Sequence, residues 1–64
     1  MMNPIDQKLN SLTWQGNSRK MYQAILQEIP FFLHDNIKHK VAAFLDAKHT
    51  KVVTEELVFE AVRN

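Results

Sequence analysis

The sequence predicts a small all-α protein, a compact bundle of three main helices with a short helix in front of them. Three observations support this fold class. Apolar residues recur at three- and four-residue spacing along most of the chain, which is typical of amphipathic helices. The chain has 64 residues, enough for one domain with a small core. It contains one glycine and no cysteine, so neither a glycine-rich loop nor a disulfide bond shapes the fold.

The first segment predicts a weak helix from about residue 4 to about residue 11. Asn3 can cap this helix, and Pro4 suits the first helical position, where its missing N–H costs nothing. The apolar residues on one face are Ile5, Leu9 and Leu12. Because isolated helices of this length are marginal in water, we expect either a weak helix or an arm that folds back on the body.

The centre of the chain is the stretch Ile29-Pro30-Phe31-Phe32, a helix-breaking proline between strong apolar side chains. An amphipathic helix is predicted before it, over residues of about 18 to 28. Pro30 disfavours the α conformation at Ile29 and is well suited to the first turn of a new helix. We therefore expect a sharp corner between two helices, with the two phenylalanines at the junction.

Two further helices are predicted after this corner, over residues of about 30 to 47 and 54 to 63. The β-branched residues between them favour a short connection rather than a helix. Thr54 is expected to cap the last helix. The apolar face of the long helix consists of Leu33, Ile37, Val41, Phe44 and Leu45, and that of the last helix of Leu57, Val58, Ala61 and Val62.

Phe31 and Phe32 do not lie on the apolar stripe of their own helix. Either they close a second core under Trp14, or one of them is displayed, so we expect the two rings to differ in burial. Trp14 is itself open to two interpretations. It covers the core as a lid, or it is an exposed anchor for a partner, because tryptophan is enriched at interface hot spots.

The residues contain no pattern typical of an enzyme, a metal protein or a nucleic-acid-binding protein. His34 and His39 point in different directions on one helix, so we expect no metal site. No serine is placed beside a base, and no glycine-rich phosphate loop is present, so no catalytic residues and no cofactor are predicted. The net charge of +1 and a glutamate-rich last helix argue against nucleic acid.

The predicted organisation is an N-terminal arm over residues 1 to 13 and a helical domain over residues 14 to 64. No apolar run approaches the roughly 20 residues that a membrane-spanning helix needs. The start of the chain has no basic segment followed by an apolar one, so a signal peptide is not expected. We therefore expect a cytoplasmic protein without a membrane span.

The order and spacing of several short motifs resemble the small C-terminal domain of the B subunit of light-independent (dark-operative) protochlorophyllide oxidoreductase. That pattern has a tryptophan, a helix ending in Ile-Pro-Phe-Phe, an arginine-rich long helix, and a last helix that opens on Thr-x-Glu-x-Val and ends in Ala. The matching residues are Trp14, Ile29-Pro30-Phe31-Phe32, Lys38, Lys40-Val41, Val53-Thr54-Glu55-Glu56-Leu57-Val58 and Ala61.

Three positions depart from the pattern of this family. His34 replaces an arginine, Ala42 a glutamate and His49 a glycine, so the basic character of the long helix is weaker here. The resemblance implies a link to chlorophyll biosynthesis in photosynthesis. In that family the iron–sulfur cluster and the pigment site belong mainly to the large nitrogenase-like body of the subunits. This chain has no cysteine and cannot hold such a cluster, so it corresponds at most to the accessory domain.

The resemblance and the apolar residues together predict a non-catalytic module that docks on a pigment enzyme or near its substrate site. The expected partner is a protochlorophyllide reductase subunit or a related enzyme. Trp14, Phe31 and Phe32 are the predicted anchors, and His34 and Lys38 at the rim can meet a carboxylate. The alternative is a small helical homodimer, or a regulatory interaction protein with an unrelated partner.

Overall fold

In the computed structural model, which describes residues 3–63, the chain is mostly helical, as predicted. Met1 and Met2 of the predicted arm and Asn64 at the end of the predicted domain lie outside the described residues. The elements in chain order are α1 (Pro4–Asn10), β1 (Thr13–Trp14), α2 (Ser18–Gln27), a 3₁₀ turn (Phe31–Leu33), α3 (His34–Ala47), β2 (Val52–Val53) and α4 (Glu55–Arg63).

Helix α1 begins at the predicted cap and packs against α3. The Asp6 N–H donates to the Asn3 side-chain oxygen at 2.9 Å, and Pro4 occupies the first turn. Leu9 is buried in the core of the protein. Two ion pairs join α1 to α3, Asp6 with Lys38 and Lys8 with Asp46. The N-terminal segment is therefore held by both apolar burial and charge.

Two short strands, which the all-α prediction did not include, pair in parallel. Thr13 lies opposite Val52, and Trp14 lies opposite Val53. The bonds that extend this ladder are 2.8 Å from Thr13 N to the Lys51 carbonyl and 2.9 Å from Gln15 N to the Val53 carbonyl. Each strand has only two residues, and its partner is distant in sequence. The alternation of apolar and polar residues that predicts longer strands is therefore absent from both.

The connection after α2 is longer than predicted, and α3 begins later. Pro30 has extended backbone angles (φ −53°, ψ 139°), and the Leu33 N–H closes a 3₁₀ turn on the Pro30 carbonyl at 2.9 Å. The long helix therefore starts at His34 rather than near residue 30. The physical reason is that one extended residue and a tight turn separate the two helical axes.

The core lies between the four helices and includes Val53 of β2. The predicted stripes are largely confirmed, since Val41 and Leu45 of α3 and Val58 and Ala61 of α4 are buried. Leu33 is the exception and is exposed. The Leu57 N–H donates to the Thr54 hydroxyl at 3.2 Å, which confirms the predicted cap of α4. The buried apolar residues are Leu9, Tyr22, Val41, Ala42, Leu45, Val53, Val58 and Ala61.

Two of the positions that depart from the family pattern have clear structural environments. His49 follows α3 with φ of 54°, the left-handed conformation in which glycine usually ends a helix. Ala42 is 3% exposed and packs in the core. A glutamate at position 42 would need a buried partner, so alanine is the simpler choice for this core.

Candidate functional site

The most exposed large apolar side chains lie at the corner between α2 and α3. Phe31 is 83% exposed and Phe32 is 71% exposed. Their rings meet edge to face, with centroids 6.4 Å apart and planes at 85°. The expectation that the two rings differ in burial is therefore wrong, and neither ring is part of a core under Trp14. The extended Pro30 and the 3₁₀ turn direct both phenyl groups away from the body.

The backbone of this corner is fixed from both sides. The 3₁₀ turn is closed on the Pro30 carbonyl, as described above. The half-buried His34 ring lies over the end of α2, and its Nε2–H donates to the Ile29 carbonyl at 3.0 Å. This bond provides a partner for the carbonyl of Ile29, which follows the last turn of α2. The phenyl rings thus project from a backbone that is already ordered.

His34 and Lys38 both have partners within the chain. His34 is bonded to Ile29. The Lys38 ammonium lies 3.0 Å from the Asp6 carboxylate, and the two side chains are only 20% and 30% exposed. Each of these contacts uses only part of the donor capacity of its side chain, since an ammonium group has three N–H donors and an imidazole ring has two nitrogens. In this structure, both side chains therefore stabilise the fold.

Trp14 lies on the core side of the molecule and acts as a lid. Its indole N–H donates to the Leu9 carbonyl at 2.9 Å, which ties β1 to the end of α1. Its ring packs on Tyr22 with centroids 5.2 Å apart, and the Arg19 guanidinium lies 5.4 Å from the ring centroid. Of the five predicted site residues, only Phe31 and Phe32 form an exposed pair, and Trp14 belongs to a different region.

Tyr22 is a residue of α2 with a buried polar group. It is 7% exposed, and its hydroxyl has no hydrogen-bond partner. Burial, together with the nearby negative charge of Asp6, raises the pKa of Tyr22 from 10.0 to about 12. The small cleft beside it has a volume of about 200 Å³. Of its charged groups, Asp6 and Lys38 are paired with each other, and Arg19 lies over the Trp14 ring. This cleft is smaller than the pockets that usually bind substrates, about 300 Å³ or more.

A second exposed apolar surface, which was not predicted from the sequence, runs between α2 and α4. We call it the α2/α4 groove. It is an open depression of about 620 Å³. Its most prominent side chain is Phe59, which is 54% exposed. The signal was present in the sequence, since Phe59 lies off the apolar stripe of its helix, as Phe31 and Phe32 do. The residues that line the groove are Met21, Ala24, Ile25, Glu28, Phe59, Val62 and Arg63.

Within residues 3–63, no three histidine, aspartate or glutamate side chains lie close enough together to hold a metal ion. No helix in the same range has the length and apolar content that crossing a membrane requires. The described surface therefore offers two apolar features, the Phe31–Phe32 pair and the α2/α4 groove, and both suit contact with another macromolecule.

Comparisons of the chain with protein-family models, with curated proteins and with solved structures found no match.

Proposed function

We propose that the chain is a non-catalytic docking module that binds a partner protein through Phe31 and Phe32. The observation that carries this proposal is the exposure of the two rings, 83% and 71%, in a chain whose Trp14–Tyr22 pair packs on the core. Large exposed apolar side chains next to each other cost solvation free energy, and they are typical of interaction sites.

The corner makes these rings effective anchors. A buried aromatic side chain removes roughly 150–250 Å² from water, and each Å² contributes about 25 cal/mol. Covering both rings therefore stabilises a complex by at most about 10 kcal/mol, before the cost of association. The bond from His34 to the Ile29 carbonyl and the 3₁₀ turn already order the backbone, so binding loses little further conformational entropy.

For the partner we propose a light-independent protochlorophyllide reductase or a related pigment enzyme, in the cytoplasm of a photosynthetic cell. This choice rests on the resemblance of Trp14, the Ile29-Pro30-Phe31-Phe32 stretch and the Thr54-led helix to the C-terminal domain of the B subunit. The chain then acts as an accessory domain on the large subunits, which carry the cluster and bind the pigment.

The experiment is a titration of isotope-labelled protein with the reductase subunits and, separately, with protochlorophyllide, followed by amide chemical shifts. We expect shifts centred on residues 30–34 with at least one of these additions. The double variant Phe31→Ala/Phe32→Ala should lose the response. Phe59→Ala is the matched control, because it removes another exposed phenyl group and should leave the response intact.

Several results would contradict the proposal. An absence of shifts with the subunits and with the pigment removes the pigment-enzyme partner. Equal loss of binding in Phe59→Ala and in the double variant would mean that exposed phenyl groups bind the subunits without specificity. A deletion strain that still makes normal chlorophyll in the dark would favour a regulatory interaction protein with an unrelated partner.

A further inference from the structure

From the α2/α4 groove we infer that the chain forms a two-fold symmetric homodimer through this face. The inference goes beyond the proposed docking function, because neither Phe31 nor Phe32 lines the groove. It rests on the shape of the groove, on the exposed Phe59 ring, and on the position of one acidic and one basic residue at its end.

The two helices that form the groove begin beside each other, and both supply residues along it. Strands β1 and β2 are parallel, and each one leads into a helix, β1 into α2 and β2 into α4. A methyl group placed on Gly16, just before α2, would lie 3.1 Å from the Glu55 carboxylate in the first turn of α4. The C-terminal ends of α2 and α4 therefore lie at the same end of the groove.

Opposite charges stand on the two sides of this end. Glu28 caps α2, and Arg63 is the last residue of α4. Both line the groove, and no ion pair between them is present among residues 3–63. The Arg63 guanidinium lies 6.0 Å from the centre of the Phe59 ring, so the cation borders the apolar floor. Each groove thus has an acid on the α2 side and a base on the α4 side.

This arrangement is complementary to itself. A two-fold axis parallel to the groove lays α2 of one copy over α4 of the other. Rotation about this axis leaves each residue at the same height along the groove and moves it to the opposite side. Glu28 of each copy therefore faces Arg63 of the other, which gives two such pairs in the dimer. The same rotation covers both Phe59 rings. A closed two-fold contact uses one surface patch on both partners, which is the commonest form of assembly in soluble oligomers. Charge pairing across the contact fixes its register.

The first test is the molar mass of the full chain in solution, measured by sedimentation equilibrium from micromolar to millimolar concentration. We expect the mass to rise from that of a monomer to twice that value. Phe59→Ala should weaken the dimer at least tenfold, and Phe32→Ala, which removes an exposed ring outside the groove, should leave it unchanged. A wild-type chain that stays monomeric at millimolar concentration overturns the inference.

Charge reversal tests the two-fold arrangement itself. Glu28→Arg alone gives a groove with two bases, and Arg63→Glu alone gives a groove with two acids, so each variant should be monomeric. An equimolar mixture of the two variants should dimerise again, because every facing pair is then opposite in charge. The double variant Glu28→Arg/Arg63→Glu should also dimerise. Lys51→Glu, an exposed reversal outside the groove, is the control and should behave as wild type.

Circular dichroism of each variant establishes that the helices are intact before its mass is interpreted. If folded Glu28→Arg and Arg63→Glu chains remain dimers, or if their mixture remains monomeric, the proposed contact is wrong. Reductase binding provides an independent readout. It should persist in Arg63→Glu and disappear in Phe31→Ala/Phe32→Ala, so failure of the homodimer and failure of the docking function are distinguishable.

Discussion

The protein holds two aromatic pairs in contrasting environments. Trp14 and Tyr22 have ring centroids 5.2 Å apart, and Phe31 and Phe32 have centroids 6.4 Å apart. The first pair covers the core beside the strand pair and is tied by the indole N–H to Leu9. The second pair projects into solvent. Contact between two rings alone therefore does not show whether an aromatic pair stabilises the fold or forms part of a binding surface.

What differs is the backbone that carries each pair. Trp14 lies in a strand that bonds to a distant segment: the neighbouring Thr13 and Gln15 N–H groups donate to the carbonyls of Lys51 and Val53. Its ring closes over the core. Phe31 and Phe32 lie in a 3₁₀ turn that only local bonds hold, on the outside of a corner. We conclude that the first pair contributes to folding stability and that the second is available for binding.

The largest expected effect is on the free energy of unfolding when one residue of each aromatic pair is truncated to alanine. Trp14→Ala should lower the free energy of unfolding by about 3 kcal/mol, because it removes the core lid and leaves a cavity. Since a chain of this size has a total stability of only about 3–10 kcal/mol, much of the variant will be unfolded. Phe32→Ala should change stability by less than about 0.5 kcal/mol. Urea unfolding followed by circular dichroism measures both, and equal losses would contradict the comparison.

The next effect concerns pH and the buried Tyr22. Burial and Asp6 raise the pKa of Tyr22 from 10.0 to about 12, so above pH 10 the unfolded chain loses this proton before the folded chain does. The folded state is therefore favoured below pH 10, and this contribution is lost as the pH rises to about 12. The loss relative to Tyr22→Phe, which cannot ionise, should reach about 2 kcal/mol.

Urea unfolding of the wild type and Tyr22→Phe at several pH values measures this difference. Near neutral pH, Tyr22→Phe should be as stable as the wild type or more stable by about 1 kcal/mol, because it removes a buried hydroxyl without a partner. Parallel pH profiles of the two proteins above pH 10 would show that Tyr22 ionises as freely in the folded state as in the unfolded chain.

The smallest effect assigns Lys38 to one region or the other. The partly buried pair of Lys38 with Asp6 should have a coupling free energy of about 0.5–1 kcal/mol in a double-mutant cycle of Lys38→Met and Asp6→Asn. The coupling should decrease with added salt. If Lys38→Met instead leaves stability unchanged and abolishes the proposed binding to a partner protein, Lys38 belongs with the Phe31–Phe32 surface.

Much of the helical framework could be predicted from local pattern. The cap at Asn3, the break at Pro30, the stripe through Val41 and Leu45, and the cap at Thr54 each depend on residues within a few positions of one another. Such signals act over one or two helical turns, so a sequence contains them in full. The same local reasoning identified Phe31 and Phe32 as residues that the helical stripe does not explain.

The sequence by itself determined the mostly helical character, the corner at Pro30 and most of the core. Tertiary structure alone decided the pairing of Thr13–Trp14 with Val52–Val53, the exposure of both Phe31 and Phe32, and the α2/α4 groove with Phe59. The physical reason is that strand pairing and the outward face of a helix depend on which distant segments come together. Helical periodicity shows that a residue lies off a stripe, and only the packed neighbours decide whether something covers it.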